Sequence, residues 1–244
     1  MIELARHDYD ALVEQILQAA RSRPEPAVAV GGLAGAIEST LLAPGATAVE
    51  VERLCEEAAA LGVAAVCVAP VWTALAVARL RPTPVLVSTV VGFPLGASLG
   101  TVKAFEAAEC LKLGADELDV VINLGALKSG HHAQVEDELY AITALAHAAA
   151  ARIKVILEMD LLSPGELEQA VAAALAAGVD FLKNGTGFGP GGATVEGIAR
   201  LRVLAAGRAR LKAAGGIRTA AQARALLAAG ADRIGTSAAA AVLS

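Results

Sequence analysis

Val179-Asp180-Phe181-Leu182-Lys183-Asn184-Gly185-Thr186-Gly187 and Ala209-Arg210-Leu211-Lys212-Ala213-Ala214-Gly215-Gly216 share one plan: a short apolar run, a lysine near its end, then glycine. Short apolar runs closed by glycine read as strands with little solvent on either face. The pattern repeats along the chain. Strands are predicted at 34–39, 64–69, 85–90, 117–122, 153–158, 181–184, 210–213 and 232–235, separated by amphipathic, alanine-rich segments. The helical segments start at cap signals, such as Ser163-Pro164 ahead of Glu166 and Thr219 ahead of Ala220, and stop at Gly62, Gly114, Gly178 and Gly230. Nearly all-apolar strands alternating with helices imply a parallel sheet covered by helices. The expected fold is α/β, a single (β/α)8 TIM barrel over residues 1–244 with an extra N-terminal helix at 9–21. A doubly wound open sheet shares this alternation.

Composition agrees with one barrel. The 244 residues match the roughly 250 typical of that fold. Apolar residues make up 56% and aromatics only 3%, which suits helices packed closely on short aliphatic strands. A net charge of −5 with acids and bases interspersed leaves no basic stripe, and few aromatics are available to stack on bases, so nucleic acid is not expected as a partner. No apolar run approaches the roughly 18 residues of a membrane span. The opening residues carry charge throughout and lack a secretory core, which points to the cytoplasm. Cys55, Cys67 and Cys110 lie far apart with no CxxC pair and read as small buried thiols. His7, His131, His132 and His147 form no cluster with ligand spacing, so no metal and no cofactor are expected.

Polar residues inside apolar strands carry the chemistry, because a buried charge needs a partner. The fourth strand offers Asp119, the fifth Lys154 and Glu158, the sixth Lys183 and the seventh Lys212. In a barrel, functional groups gather at the carboxyl ends of strands, where both Lys183 and Lys212 fall. A lysine held near a second cation in an apolar pocket has a lowered pKa and supplies a nucleophilic amine, which is the chemistry of a Schiff-base enzyme. Asp119 with Lys212 would form an acid/base pair moving protons to and from an adduct on Lys183. Asp119 in a structural ion pair, and lysines that snorkel from strand ends to solvent, stand as alternatives. Lys154 and Glu158, four residues apart on one strand face, would pair with each other and serve as supporting residues.

Glycine-rich loops after the last three strands supply a second feature. Gly185-Thr186-Gly187, Gly215-Gly216-Ile217-Arg218 and Gly235-Thr236-Ser237 can bring unhindered backbone N–H groups to a phosphate, with Gly187, Gly215, Gly216, Gly235 and Ser237 as candidates. The loop after the eighth strand is expected to open a helix whose positive end adds to the site. Gly187-Phe188-Gly189-Pro190-Gly191-Gly192 also satisfies G-x-G-x-x-G. A dinucleotide site would need an acidic residue about 20 positions on, and Arg208, Arg210 and Lys212 stand there instead.

With these residues in view, the chain resembles the deoxyribose-phosphate aldolase family from Ile37 to Ser237. The resemblance lies in Val90-Val91-Gly92-Phe93-Pro94-Leu95-Gly96, in Gly114-Ala115-Asp116-Glu117-Leu118-Asp119-Val120-Val121-Ile122-Asn123, in Asp180-Phe181-Leu182-Lys183 with Thr186-Gly187-Phe188, and in Lys212-Ala213-Ala214-Gly215-Gly216-Ile217-Arg218-Thr219. It implies a class I, metal-independent aldolase that reversibly cleaves 2-deoxy-D-ribose 5-phosphate to glyceraldehyde 3-phosphate and acetaldehyde, as in carbohydrate and deoxyribonucleotide catabolism. It also implies Lys183 as the Schiff-base lysine, Asp119 and Lys212 as the proton relay, and a homodimer or larger assembly.

Several positions depart from the family pattern. Glu38-Ser39 stands where Asp-His is common, Ala69 where Asn is frequent, and Asn184-Gly185 where Thr-Ser is usual. Some members use a C-terminal tyrosine in proton transfer, and no tyrosine follows Tyr140, so this chain lacks that aid or uses water. Cys67 matches a family cysteine near the site and reads as a small buried hydrophobe. These departures keep two other readings open: a Schiff-base aldolase with a different acceptor or donor, and a non-catalytic barrel that binds a phosphorylated sugar.

Overall fold

Strand β1 (Ile37–Leu41) pairs in parallel with both β2 (Ala65–Val68) and β8 (Arg233–Thr236), which closes the sheet into a barrel. Between them, β3 (Leu86–Val91), β4 (Glu117–Val121), β5 (Arg152–Ile156), β6 (Phe181–Lys183) and β7 (Arg210–Ala214) follow in sequence order, every neighbour parallel. This computed structural model describes residues 32–244, and the helix expected at 9–21 lies outside the described residues. The expected (β/α)8 barrel is the observed fold, and the open-sheet alternative is excluded by the β1–β8 pairing.

Every strand departs from its expected bounds by at least one residue, and three of the departures have a visible local basis. Residues 34–36 form a 3-10 turn, so β1 starts later and runs on to Leu41. β5 stops at Ile156, because Glu158 turns into the left-handed region at φ 47° and breaks the strand. Asp232 lies just ahead of β8 rather than within it.

Asp232 marks a recurring device. Asp116, Asp180 and Asp232 each precede an even-numbered strand, two residues after a glycine with positive φ that ends a helix. Their carboxylates accept the backbone N–H of Val87 (2.8 Å), Ile153 (2.9 Å) and Leu211 (2.8 Å), the neighbouring odd-numbered strands. Each stitches a strand pair at the amino end of the barrel and satisfies a donor that the ladder leaves over.

Period two then divides every strand between two environments. Ile37, Val66, Val87, Leu118, Ile153, Val155, Leu182, Leu211 and Ile234 join the apolar layer under the helices. The alternate residues face the lumen. Lys154 on β5 reaches Glu38 on β1, and these strands lie on opposite sides of the barrel, so the contact crosses its interior. The helices are capped as the sequence implied, with reciprocal boxes at Ser163–Glu166 and Thr219–Gln222. Among the described residues no helix is long and apolar enough to cross a membrane.

Asp232→Ala removes the acceptor of Leu211 N–H and the partner of Arg202, and is expected to lower unfolding stability by about 1–3 kcal/mol. Denaturant unfolding measures this, and an unchanged midpoint would show that the stitch contributes nothing.

Candidate active site

Within the lumen, one carboxylate organises three lysines. Asp119 Oδ2 accepts from Lys183 Nζ and from Lys212 Nζ, both at 2.7 Å. Its other oxygen accepts from Lys154 Nζ at 2.8 Å and from Ser88 Oγ at 3.2 Å. Lys183 and Lys212 are register partners on adjacent strands, so their side chains emerge at one level on one face of the sheet. The three residues that the sequence singles out as catalytic therefore do converge.

Below them the charge continues toward the amino end. Lys212 also bonds Glu38, and Lys154 bonds Glu117 at 2.6 Å and Glu38 at 3.5 Å. Arg233 closes the network against Glu38 and Glu117, each at 3.4 Å, and lies with Arg210 over the Phe181 ring at 5.8 and 4.6 Å. Glu117, Ser88 and Arg233 are members that the sequence did not single out, and Glu38, noted only as a departure from the family pattern, joins the lysines. The signal was available: each is a polar residue in an apolar strand, and Glu117 sits two positions before Asp119, on the same face.

Burial alone would push the Asp119 carboxyl up, but Lys154, Lys183 and Lys212 overcome it and hold it well below the ordinary carboxylate range. The same contest brings Glu117 down to about 2, with Lys154 and Arg233 outweighing burial. Desolvation opposes the charge on Lys212 and on Lys154, yet the surrounding carboxylates prevail and raise both. Lys212 therefore rests in its protonated form. Lys154, Lys183, Lys212, Arg233 and, from the rim, Arg152 face Glu38, Glu117 and Asp119, so with all ionised the cations outnumber the carboxylates. Among the described residues Lys183 forms an ion pair with Asp119 alone, and its side chain, 3% exposed, lies at the lumen's open end.

Above the lysines lies a cavity of about 420 Å³ at the carboxyl ends of the strands. Lys183 and Lys212 form its floor. Gly187, Gly215, Gly216, Gly235 and Ser237, the proposed phosphate contacts, all line it. The helix after β8, Ala239–Leu243, has only five residues and begins beyond Ser237, so backbone N–H groups of the loops remain the available donors rather than a helix end. The G-x-G-x-x-G segment has a packing explanation: a Cβ at Gly192 would sit 2.8 Å from Gly215 O, and Ala193 N donates to that same oxygen at 3.0 Å. Gly187 and Gly192 let the β6 loop lie on the β7 loop, while Gly189 makes room for the Glu158 carboxylate.

Two expectations are corrected. Lys154 and Glu158 do not pair, since the chain turns after β5 and the Glu158 carboxylate instead accepts from Thr186 N at 3.1 Å. Lys154 belongs with Asp119, Glu117 and Glu38. Glu38 and Ser39 do not alter the substrate face in the way their departure suggested. Glu38 is absorbed into the ion-pair network, and Ser39, between lumenal Glu38 and pocket-lining Thr40, points by period two toward the helices.

Cys67 is buried, with its thiol pushed up to about 12 by desolvation. Glu38, Cys67 and Asp119 bring potential ligand atoms within 4.8 Å of one another. Both carboxylates are already bonded to Lys212, so a cation there would have to expel a buried ammonium.

A carboxylate depressed on folding contributes stability that is complete above its unfolded value and lost as pH falls through its folded one. For Glu117 that window runs from 4.5 to about 2, and Asp119 acts in the same direction. Urea midpoints are expected to decline across this acid range, and less steeply in Glu117→Gln. Equal slopes for the two proteins would contradict the assignment.

The sequence profile of the DeoC/LacD family aldolases matches residues 31–242. The chain is 45% identical over 207 residues to a deoxyribose-phosphate aldolase of Thermoanaerobacter sp. (strain X514), covering 84% of this chain and 93% of that one. It is 47% identical over 203 residues to that of Thermococcus gammatolerans, covering 82% and 90%. Among solved structures, the tetrameric deoxyribose phosphate aldolase from Aeropyrum pernix superposes with a TM-score of 0.82 at 37% identity, covering 94% of this chain and 96% of that one. A putative deoxyribose-phosphate aldolase from Coccidioides immitis gives a TM-score of 0.82 at 32% identity, covering 100% and 98%.

Proposed function

We propose, from the premise that this chain belongs to the DeoC/LacD family of aldolases, that it cleaves 2-deoxy-D-ribose 5-phosphate reversibly to D-glyceraldehyde 3-phosphate and acetaldehyde through a Schiff base on Lys183. One observation carries the assignment: two lysines on adjacent strands share a single buried carboxylate oxygen at the floor of a cavity walled by glycine loops.

In the cleavage direction the neutral Lys183 amine attacks C1 of the open-chain sugar, and the proton shed by its nitrogen passes to the new C1 oxygen. Loss of water yields an iminium. Removal of the C3 hydroxyl proton breaks the C2–C3 bond, the electron pair moves to the iminium as an enamine, and glyceraldehyde 3-phosphate leaves. The enamine is protonated at carbon, and water hydrolyses the resulting imine to acetaldehyde and free Lys183. Asp119 and Lys212 lie within proton-transfer reach of the amine and would serve these steps, directly or through water. Lys154 and Glu38 hold Asp119 and Lys212 in place. The phosphate, bound by the loops carrying Gly187, Gly215, Gly216, Gly235 and Ser237, would anchor the far end of the substrate, so that its binding energy orients the carbonyl.

A cytoplasmic, homo-oligomeric enzyme belongs to this reading, in keeping with the tetramer named for the Aeropyrum pernix relative. Light scattering that shows a monomer at working concentration would refute the assembly.

Borohydride reduction in the presence of acetaldehyde should place a single adduct on Lys183, seen by mass spectrometry. Lys183→Ala should abolish both adduct and turnover of 2-deoxyribose 5-phosphate in a coupled assay for glyceraldehyde 3-phosphate. Lys212→Leu should fold but turn over slower by about 10²–10⁴-fold. Near-normal turnover by either variant would overturn the role given to that lysine. Adduct formation without cleavage of this sugar would favour a different aldol, and no adduct at all a binding barrel.

A further inference from the structure

The β6 strand ends at Lys183 while its neighbour β7 continues to Ala214. Backbone pairing between them weakens at this point, with Asn184 N donating to Lys212 O at 3.3 Å. Beyond it Ala214 still directs its N–H and C=O toward β6, where no strand residue remains to receive them. The Asn184 side chain takes that place: its Oδ1 accepts from Ala214 N at 2.8 Å and its Nδ2 donates to Ala214 O at 3.0 Å. A carboxamide carries a donor and an acceptor on two separate atoms, so it can pair both groups of one residue as a strand neighbour would. Asn184 is buried, which makes leaving either group unpaired unfavourable.

On its other side this segment is tied to the turn after β5. Met159 N donates to Asn184 O at 2.8 Å, and Glu158 accepts from Thr186 N at 3.1 Å. Gly185 permits that contact, since a Cβ there would lie 2.9 Å from the Glu158 carboxylate. Thus Asn184 and Gly185, which replace Thr-Ser of the family pattern, form one anchoring unit. Directly after the clamped Ala214 comes Gly215, at φ 101°, which opens the loop assigned to the phosphate.

We propose that Asn184 is a positioning residue that fixes the Gly215-Gly216 loop relative to the Lys183 amine, and so sets the span between the bound phosphate and the reacting carbonyl. The inference rests on the function given above, and its consequence is specific: Asn184 matters for phosphorylated substrate and little for the amine chemistry itself.

Asn184→Ala should weaken inorganic phosphate binding by calorimetry and lower kcat/KM for 2-deoxyribose 5-phosphate, each by about tenfold or more. Turnover of unphosphorylated 2-deoxyribose should stay within about threefold, with acetaldehyde still trapped on Lys183. Asn184→Asp keeps the acceptor for Ala214 N but sets an oxygen against Ala214 O. It should shift the same readouts the same way, and it carries the test if the alanine variant does not fold. Equal losses on both sugars, as a purely structural role would give, or unchanged phosphate affinity, would overturn the proposal. A native protein that traps acetaldehyde yet leaves 2-deoxyribose 5-phosphate intact would overturn the choice of substrate instead, while a loss of phosphate affinity in the variants would still support the role of Asn184.

Discussion

A carboxylate removed from water remains charged only where cations replace its hydration, and Asp119 is surrounded by three of them, Lys154, Lys183 and Lys212. That single group ties β4 to β5, β6 and β7 across the lumen. Each of its partners is itself buried and needs further compensation, which draws in Glu38, Glu117 and finally Arg233. Buried ion pairs of this kind seldom stabilise a fold more than well-packed apolar side chains of equal volume would. An ion-filled lumen in an otherwise aliphatic protein is therefore better explained by chemistry than by stability.

The barrel supplies what such a cluster requires. With alternate residues of each strand packed under the helices, the outer layer carries the hydrophobic core, and the lumen is free to hold charge. The Asp116, Asp180 and Asp232 stitches secure strand pairs at the amino end, where the network is anchored, while the carboxyl end opens into the cavity. Stability and reactivity are thus assigned to opposite ends of the same strands, as the fold favours.

Loop chemistry completes the division. The glycines that resemble a dinucleotide fingerprint serve close packing of the β6 loop on the β7 loop and on Glu158, and Asn184 extends the ladder where β6 ends. Departures from the family pattern at Glu38, Asn184 and Gly185 each have a local structural partner: Lys212, Ala214 and Glu158.

Much of this was legible in the residue order. Repeated apolar runs and capped helices announce an eight-fold α/β alternation, because secondary structure answers to local periodicity. Lys183, Lys212 and Asp119 stood out because a charge inside an apolar strand demands a partner. Their mutual pairing was legible too, but the further partners were not. Glu158 lies four residues from Lys154 and would share its face in an unbroken strand, but a left-handed residue past Ile156 sends it to Thr186 instead. Glu38 and Lys212 are 174 residues apart and meet only because β1 closes the barrel against β8. Which charges pair, which amine is left with one partner, and how Asn184 substitutes for a missing strand residue depend on cross-lumen distances, and those arise only once the sheet has closed on itself.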